Sequence, residues 1–312
     1  MKRFSIASIR SLAARIAGVA LLSISVAGVQ AQPVSAEDSA FYLAINIDAI
    51  RDGQASAALY AFIDNEVLDE LRDEFGSEAV DAIAGISVFG TGDHQTPVIL
   101  LHGDIPQAAR DRFVDKLFKE KKEVELLTDH GRNYFAFGDV QLDWDGVESD
   151  GDHDALLLAF GDRGQTMITP NPEAMSEFLR EGSLPDAVMA EDLMVIQADR
   201  ALAQGGLNNR HAAFSANGGA WESELFRKVD RIGMVVADDA EALRISIEAH
   251  TASPELAQAL ENIVKGIVSL KALSSDAADK LEWLDSLQIN SSDSVTRLDA
   301  LVPAESLKAI ID

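Results

Sequence analysis

The chain has 312 residues, with 52 acidic against 26 basic side chains, a net charge of −26 and no cysteine. The missing cysteine excludes disulfides, thiol nucleophiles, iron–sulfur clusters and Cys-ligated zinc, and the acid excess works against nucleic acid or anionic lipid as partners, because like charges would have to be brought together. Apolar residues make up 47% of the chain, enough for a packed core, which excludes a disordered protein.

In chain order, the first thirty-one residues differ from the rest. Lys2, Arg3, Arg10 and Arg15 are their only charges, an apolar stretch runs from Ala17 to Gly28, and Val29-Gln30-Ala31 places small residues where a signal peptidase reads. This three-part pattern predicts a signal peptide over 1–31, with a second possible cut after Val34-Ser35-Ala36, and its apolar core is too short to span a bilayer. No other stretch approaches a transmembrane helix. The expected product is a periplasmic or secreted protein with no stable membrane insertion after cleavage. The leader takes four cations with it, so the net charge deepens from −26 to −30, a value that favours a soluble monomer.

Two units follow, over 32–185 and 190–312. The first opens with a strand at Phe41–Asp48, passes the Asp52-Gly53 turn signal and helical segments, and continues with strands at Ile83–Phe89 and Pro97–His102. A helix starting at Pro106 presents Ala109, Phe113, Val114, Leu117 and Phe118 on one face. Its polar side interleaves Arg110, Arg112, Lys116, Lys119, Lys121 and Lys122 with acids, the pattern of a solvated helix face. A hairpin is predicted over Val124–Leu127 and Asn133–Phe137, turning at Asp129-His130-Gly131. After an acidic stretch come strands Ala155–Phe160 and Gln165–Thr169, joined by Gly161-Asp162-Arg163-Gly164. A helix capped by Asn171, with Pro172 at its first position, turns Met175, Phe178 and Leu179 to the core.

The second unit repeats the order: strand Leu193–Asp199, Gly205-Gly206, strands Arg231–Ala237 and Leu243–Ala249, and a helix capped by Ser253 and opened by Pro254. An inserted helix near Asp276–Ser286 precedes a hairpin over Leu287–Leu301. Gly85 and Gly233 are 148 positions apart, as are Pro106 and Pro254. Equal spacing across strand, turn and helix start predicts a duplicated α+β unit of mainly antiparallel sheet with helices packed on one face.

Few residues carry recognisable chemistry. Asp150-Gly151-Asp152-His153-Asp154 offers oxygens at alternate positions, as at the start of a calcium loop, which makes Asp150, Asp152 and Asp154 a candidate Ca2+ site. Ala155 stands where an EF-hand requires glycine, so a solvated acidic loop is the competing reading, and no other cofactor is expected. No two of the six histidines have the i, i+4 spacing of a helical zinc pair. Gly85-Ile86-Ser87-Val88-Phe89-Gly90 misses the Gly-x-Ser-x-Gly spacing of a nucleophile turn. The long polar loop from Gln204 to Ala220 is best suited to touch a ligand, with Asn208, Asn209, Arg210, His211 and Phe214 ahead of Trp221.

A first strand ending in Asp, a glycine-centred second strand, Asn171-Pro172-Glu173-Ala174 at a helix start, and a closing strand running into Val302-Pro303-Ala304-Glu305-Ser306-Leu307 together resemble exported bacterial proteins of unknown function built from tandem α+β units. The resemblance implies a fold and transfers no catalytic residue. The expected function is that of an exported, non-enzymatic protein binding a ligand or protein partner in the cell envelope. The alternatives are an envelope hydrolase using dispersed carboxylates and a calcium-assisted structural or surface protein.

Overall fold

The structure, a computed structural model, describes residues 41–91, 96–120, 124–138, 155–184, 192–199, 228–273, 283, 286–304 and 306. The predicted signal peptide lies outside them, as does all of the predicted inserted helix but Trp283 and Ser286. The chain divides into two compact units. Among the described residues the first holds 41–48 and 63–184, and the second holds 49–62 and 192–306. Both combine antiparallel sheet with helices, the α+β class expected from the sequence.

The first unit contributes seven strands: β1 (Phe41–Asn46), β2 (Gly85–Thr91), β3 (Thr96–His102), β4 (Val124–Asp129), β5 (Arg132–Gly138), β6 (Ala155–Phe160) and β7 (Gln165–Thr169). Their spatial order is β1-β2-β3-β7-β6-β5-β4, and every pairing is antiparallel. The register sets Val88 opposite Leu43 and Ile99, and Ile168 opposite Leu158, so these side chains share one face. Leu100, Met167 and Ala159 share the other. Over β1–β3, β6 and β7 both faces are buried and mostly apolar. That is why Phe41–Ile45, Val98–Leu101 and Leu156–Ala159 read as continuous hydrophobic runs rather than alternating ones.

Each face has its own helical cover. Before β2 the chain forms α1 (Ile47–Asp52), α2 (Ala57–Ile63), a π-helical turn (Asp64–Leu68), α3 (Asp69–Phe75) and α4 (Ser77–Asp81). The later helices are α5 (Gln107–Glu120), α6 (Pro172–Glu181) and α7 (Pro254–Leu273). Phe113 of α5 meets Phe160 edge-on at 6.4 Å and Phe118 meets Phe135 at 6.1 Å, while Phe75 of α3 stacks on Phe113 at 4.1 Å. These rings belong to the face that carries Leu158. On the opposite face Met175, Phe178 and Leu179 of α6 pack with Val98, Leu100, Leu157, Ala159 and Met167. The single helix-covered face expected from the sequence therefore describes α5 and its neighbours, and α6 adds a second cover. Its cap is as predicted: Asn171 Oδ1 accepts from the Glu173 and Ala174 amides at 2.9 and 3.1 Å, with Pro172 at the first position.

The second unit holds β8 (Met194–Asp199), β9 (Val229–Asp239), β10 (Ala242–Thr251), β11 (Gln288–Ser292) and β12 (Val295–Pro303), in the order β8-β9-β10-β12-β11. Both faces of β8 and β9 are buried, but along β12 only one is. Thr296, Leu298, Ala300 and Val302 of β12 are buried, whereas Arg297 and Leu301 are exposed, the alternation of a half-solvated antiparallel strand. The helix α7 lies on the buried side, where Thr296 Oγ1 donates to the Ala257 carbonyl at 2.8 Å. Ser56, between α1 and α2, donates to the Ile50 carbonyl at 2.8 Å and to Asp238 Oδ2 at 3.3 Å, tying its segment to β9.

Both units run strand, strand, strand, helix, hairpin. In the second, β10 pairs directly with the hairpin strand β12; in the first, β7 and β6 lie between β3 and β5. No helix among the described residues is long and apolar enough to cross a membrane.

Candidate functional site

The residues singled out from the sequence, Asn208, Asn209, Arg210, His211, Phe214 and Trp221 in the long loop and Asp150, Asp152 and Asp154 in the acidic stretch, lie outside the described residues. Among the described residues, three groupings of catalytic residue types stand out, two in the first unit and one in the second.

The first is a buried polar cluster on β1, β2 and β3. Antiparallel register puts Gly85 opposite His102 and Ser87 opposite Leu100, so Ser87 and His102 are diagonal neighbours on one face. Ser87 Oγ and His102 Nε2 are 3.0 Å apart. Tyr42 reaches the same face through its pairing with Phe89. Its hydroxyl is buried beside Ser87 without a hydrogen bond of regular geometry among the described residues, and burial pushes its pKa up to about 12, partly offset by the nearby Ser87 hydroxyl. A serine this close to an imidazole is half of a nucleophile–base pair. Yet Ser87 is fully buried in mid-strand, its backbone held in the ladders to β1 and β3. A hydrolytic serine needs an exposed turn and free oxyanion donors, so this cluster is an internal polar tie.

The second assembles serine, histidine and aspartate at the surface. Asp129 ends β4, and His130 and Gly131 form the β4–β5 turn with φ of 49° and 75°, as a two-residue hairpin turn requires. Ser176 approaches from α6. Its hydroxyl donates to Asp129 Oδ2 at 2.6 Å and lies 3.4 Å from His130 Nε2, while the His130 amide donates to Asp129 Oδ1 at 2.9 Å. In a catalytic triad the serine faces the imidazole and the acid stands behind it. Here the serine proton goes straight to the carboxylate, so the imidazole is not its base. The Ser176 hydroxyl, and secondarily His130, hold the Asp129 carboxyl below the usual carboxylate range, and the arrangement fastens the hairpin tip to α6.

The third lies on β10 and β12, on the face away from α7. Ser246 stands opposite Asp299 and Glu248 opposite Arg297, and Ser246 donates to Asp299 Oδ1 at 2.7 Å. The Glu248 side chain is only 5% exposed. It accepts from both Nε and Nη2 of Arg297 and lies 3.3 Å from His250 Nε2. The carboxylate raises the Arg297 pKa further. A carboxylate so enclosed must be paired to stay charged, and this one has its partners within the sheet. Among the described residues no group of three or more His, Asp or Glu is placed to hold a metal ion.

Of these residues the sequence singles out only Ser87, in the motif that misses the nucleophile spacing; its partner His102 and the other two groupings are not marked as sites. Ser246, Glu248 and His250 alternate along one strand, and that i, i+2, i+4 polar pattern in an otherwise apolar run was the available signal. Ser176 and Asp129 are 47 residues apart, and nothing local connects them.

No protein-family model and no curated protein sequence matches the chain. Among solved structures it is similar to crystal form III of TP0453, with a TM-score of 0.48 and 10% identity over 93% of this chain and 96% of that one. Crystal form I of the same protein gives 0.47 and 9%, covering 93% of this chain and 95% of that one.

Proposed function

We propose that the chain is an exported, non-enzymatic protein of the bacterial cell envelope, built on a duplicated α+β unit, that binds a ligand or a protein partner through the loop from Gln204 to Ala220. One observation carries the reading: the described clusters of catalytic residue types spend their hydrogen bonds on one another, two of them around a buried group and one at the surface. Ser87 and His102 are buried against each other, Ser176 is bound by Asp129 rather than facing a base, and Glu248 is enclosed by Arg297 and His250. Side chains bonded to one another in this way act as ties within the fold, which favours a structural over a catalytic role. The leader pattern at 1–31 supports export, and the Asn, Arg, His and aromatic content of the loop suits it to recognition.

Deleting residues 206–218 tests the proposal. The expected outcome is loss of the partners that the intact protein retains from a cell-envelope extract, with its circular dichroism and unfolding midpoint unchanged. An identical partner set would remove the loop from the mechanism. Robust turnover of ester, peptide or glycoside substrates by the intact protein would overturn the non-enzymatic class.

A further inference from the structure

In the first unit β4 is the terminal strand of its sheet, and among the described residues it pairs only with β5. A sheet edge offers a row of backbone donors and acceptors to any other strand, and proteins that avoid association blunt such edges with charge, proline or bulges. β4 carries Glu125 and Asp129, but at its middle stands Leu126, 52% exposed, beside Phe118 of α5 at 48%. Both lie against Phe135: Leu126 directly opposite it in the ladder, Phe118 edge-on to its ring. Two of the three exposed large hydrophobic residues among those described therefore flank one sheet edge.

We infer that this edge is a homodimerisation surface on which β4 pairs antiparallel with β4 of a second copy about a two-fold axis through Leu126. The register follows from chemistry. A two-fold axis normal to the sheet keeps each face continuous, so a residue must meet one of its own face. Only two registers then pair five residues of β4. Centred on Leu127, the pairing sets Glu125 against Asp129 of the second copy, and like charges directly opposite are destabilising. Centred on Leu126, it sets Leu126 against itself, Glu125 against Leu127 and Val124 against Thr128, with no like charges opposed. Phe118 then extends the apolar contact at the axis. Association must still overcome the repulsion between two chains of charge −26, which salt screens: the Debye length falls from about 10 Å at 0.1 M to about 3 Å at 1 M. Dimerisation is accordingly strengthened by salt.

The chain has no cysteine, so one introduced thiol reports cleanly on the register. Directly opposed residues in an antiparallel pair have Cα atoms about 4.5–5.5 Å apart, within disulfide reach, whereas Thr128 would lie roughly 14 Å from its own copy at about 3.4 Å per residue. The whole chain carrying Leu126→Cys is expected to cross-link as a dimer under mild oxidation, and the chain carrying Thr128→Cys is not. Light scattering of the unmodified chain should show a dimer fraction that grows from 0.1 to 1 M NaCl, and Leu126→Lys should be monomeric with an unchanged circular dichroism spectrum. A monomeric mass at every salt and protein concentration, or equal cross-linking at the two positions, would overturn the inference.

Discussion

Asp129 and Asn171 carry side-chain oxygens with opposite legibility. Asn171 caps α6 through amides two and three residues on, so its role can be read from the string Asn-Pro-Glu-Ala. Asp129 takes its strongest bond from Ser176, 47 residues away, and only the folded chain joins them. The Glu248 pair with Arg297, separated by 49 residues, was hidden for the same reason. Because the folded pKa of Asp129 is depressed by the Ser176 hydroxyl first and His130 after it, the linkage has a definite sign. The stabilisation is fully present above the unfolded pKa and is lost as pH falls through the folded one. Ser176→Ala should therefore move the Asp129 carboxyl titration, followed by NMR, upward toward the ordinary carboxylate range. The stability difference between variant and parent should shrink as the solution is acidified. An unmoved titration would show that the hydroxyl does not hold this carboxylate.

At the scale of elements, strands and hairpins were legible because their signals are local: apolar runs for β3 and β6, the Asp129-His130-Gly131 turn, and Pro or Asn at helix starts. The amphipathic stripe of α6 was equally plain, but a stripe says only that a helix has a buried side and not which sheet face it meets. That choice depends on how the chain crosses the sheet edge, and it is why the second covered face of the first unit was not foreseen. Glycines show the same limit. Gly131, at φ 75°, sits at a tip where an added Cβ would meet nothing within 4 Å, whereas at Gly103, φ 146°, that atom would lie 2.0 Å from the Ala82 carbonyl oxygen. The Gly103 amide also donates to the Gly164 carbonyl at 2.7 Å, so three backbone segments converge there. Gly131→Ala should cost about 1–2 kcal/mol, the ordinary penalty of a left-handed alanine. Gly103→Ala adds a clash that only backbone movement relieves, and should cost more than about 3 kcal/mol in urea unfolding. Equal costs at the two sites would refute the close approach.

For the whole molecule the governing influence is charge. With 52 acids against 26 bases, the folded state concentrates negative charge that the unfolded chain spreads out, so self-repulsion lowers stability. Surface ion pairs such as Arg112 with Glu78, Arg132 with Asp162 and Arg180 with Glu181 work in the other direction. Pairs this exposed contribute little individually, and salt screens them too. Cations are half as numerous as acids, so even if every one were paired, half the carboxylates would have none, and screening removes more repulsion than attraction. Raising NaCl from about 10 mM to about 0.5 M should therefore stabilise the protein by about 1 kcal/mol, a rise of roughly 2–4 °C in the main thermal transition. The same salt promotes the proposed pairing through β4, which would add a protein-concentration dependence to the midpoint. Following the transition of Leu126→Lys beside the parent separates the two effects. The variant should keep the salt-dependent rise and lose the concentration dependence, whereas a midpoint that falls with salt would mean that the ion pairs, and not the excess of acids, govern the stability of the fold.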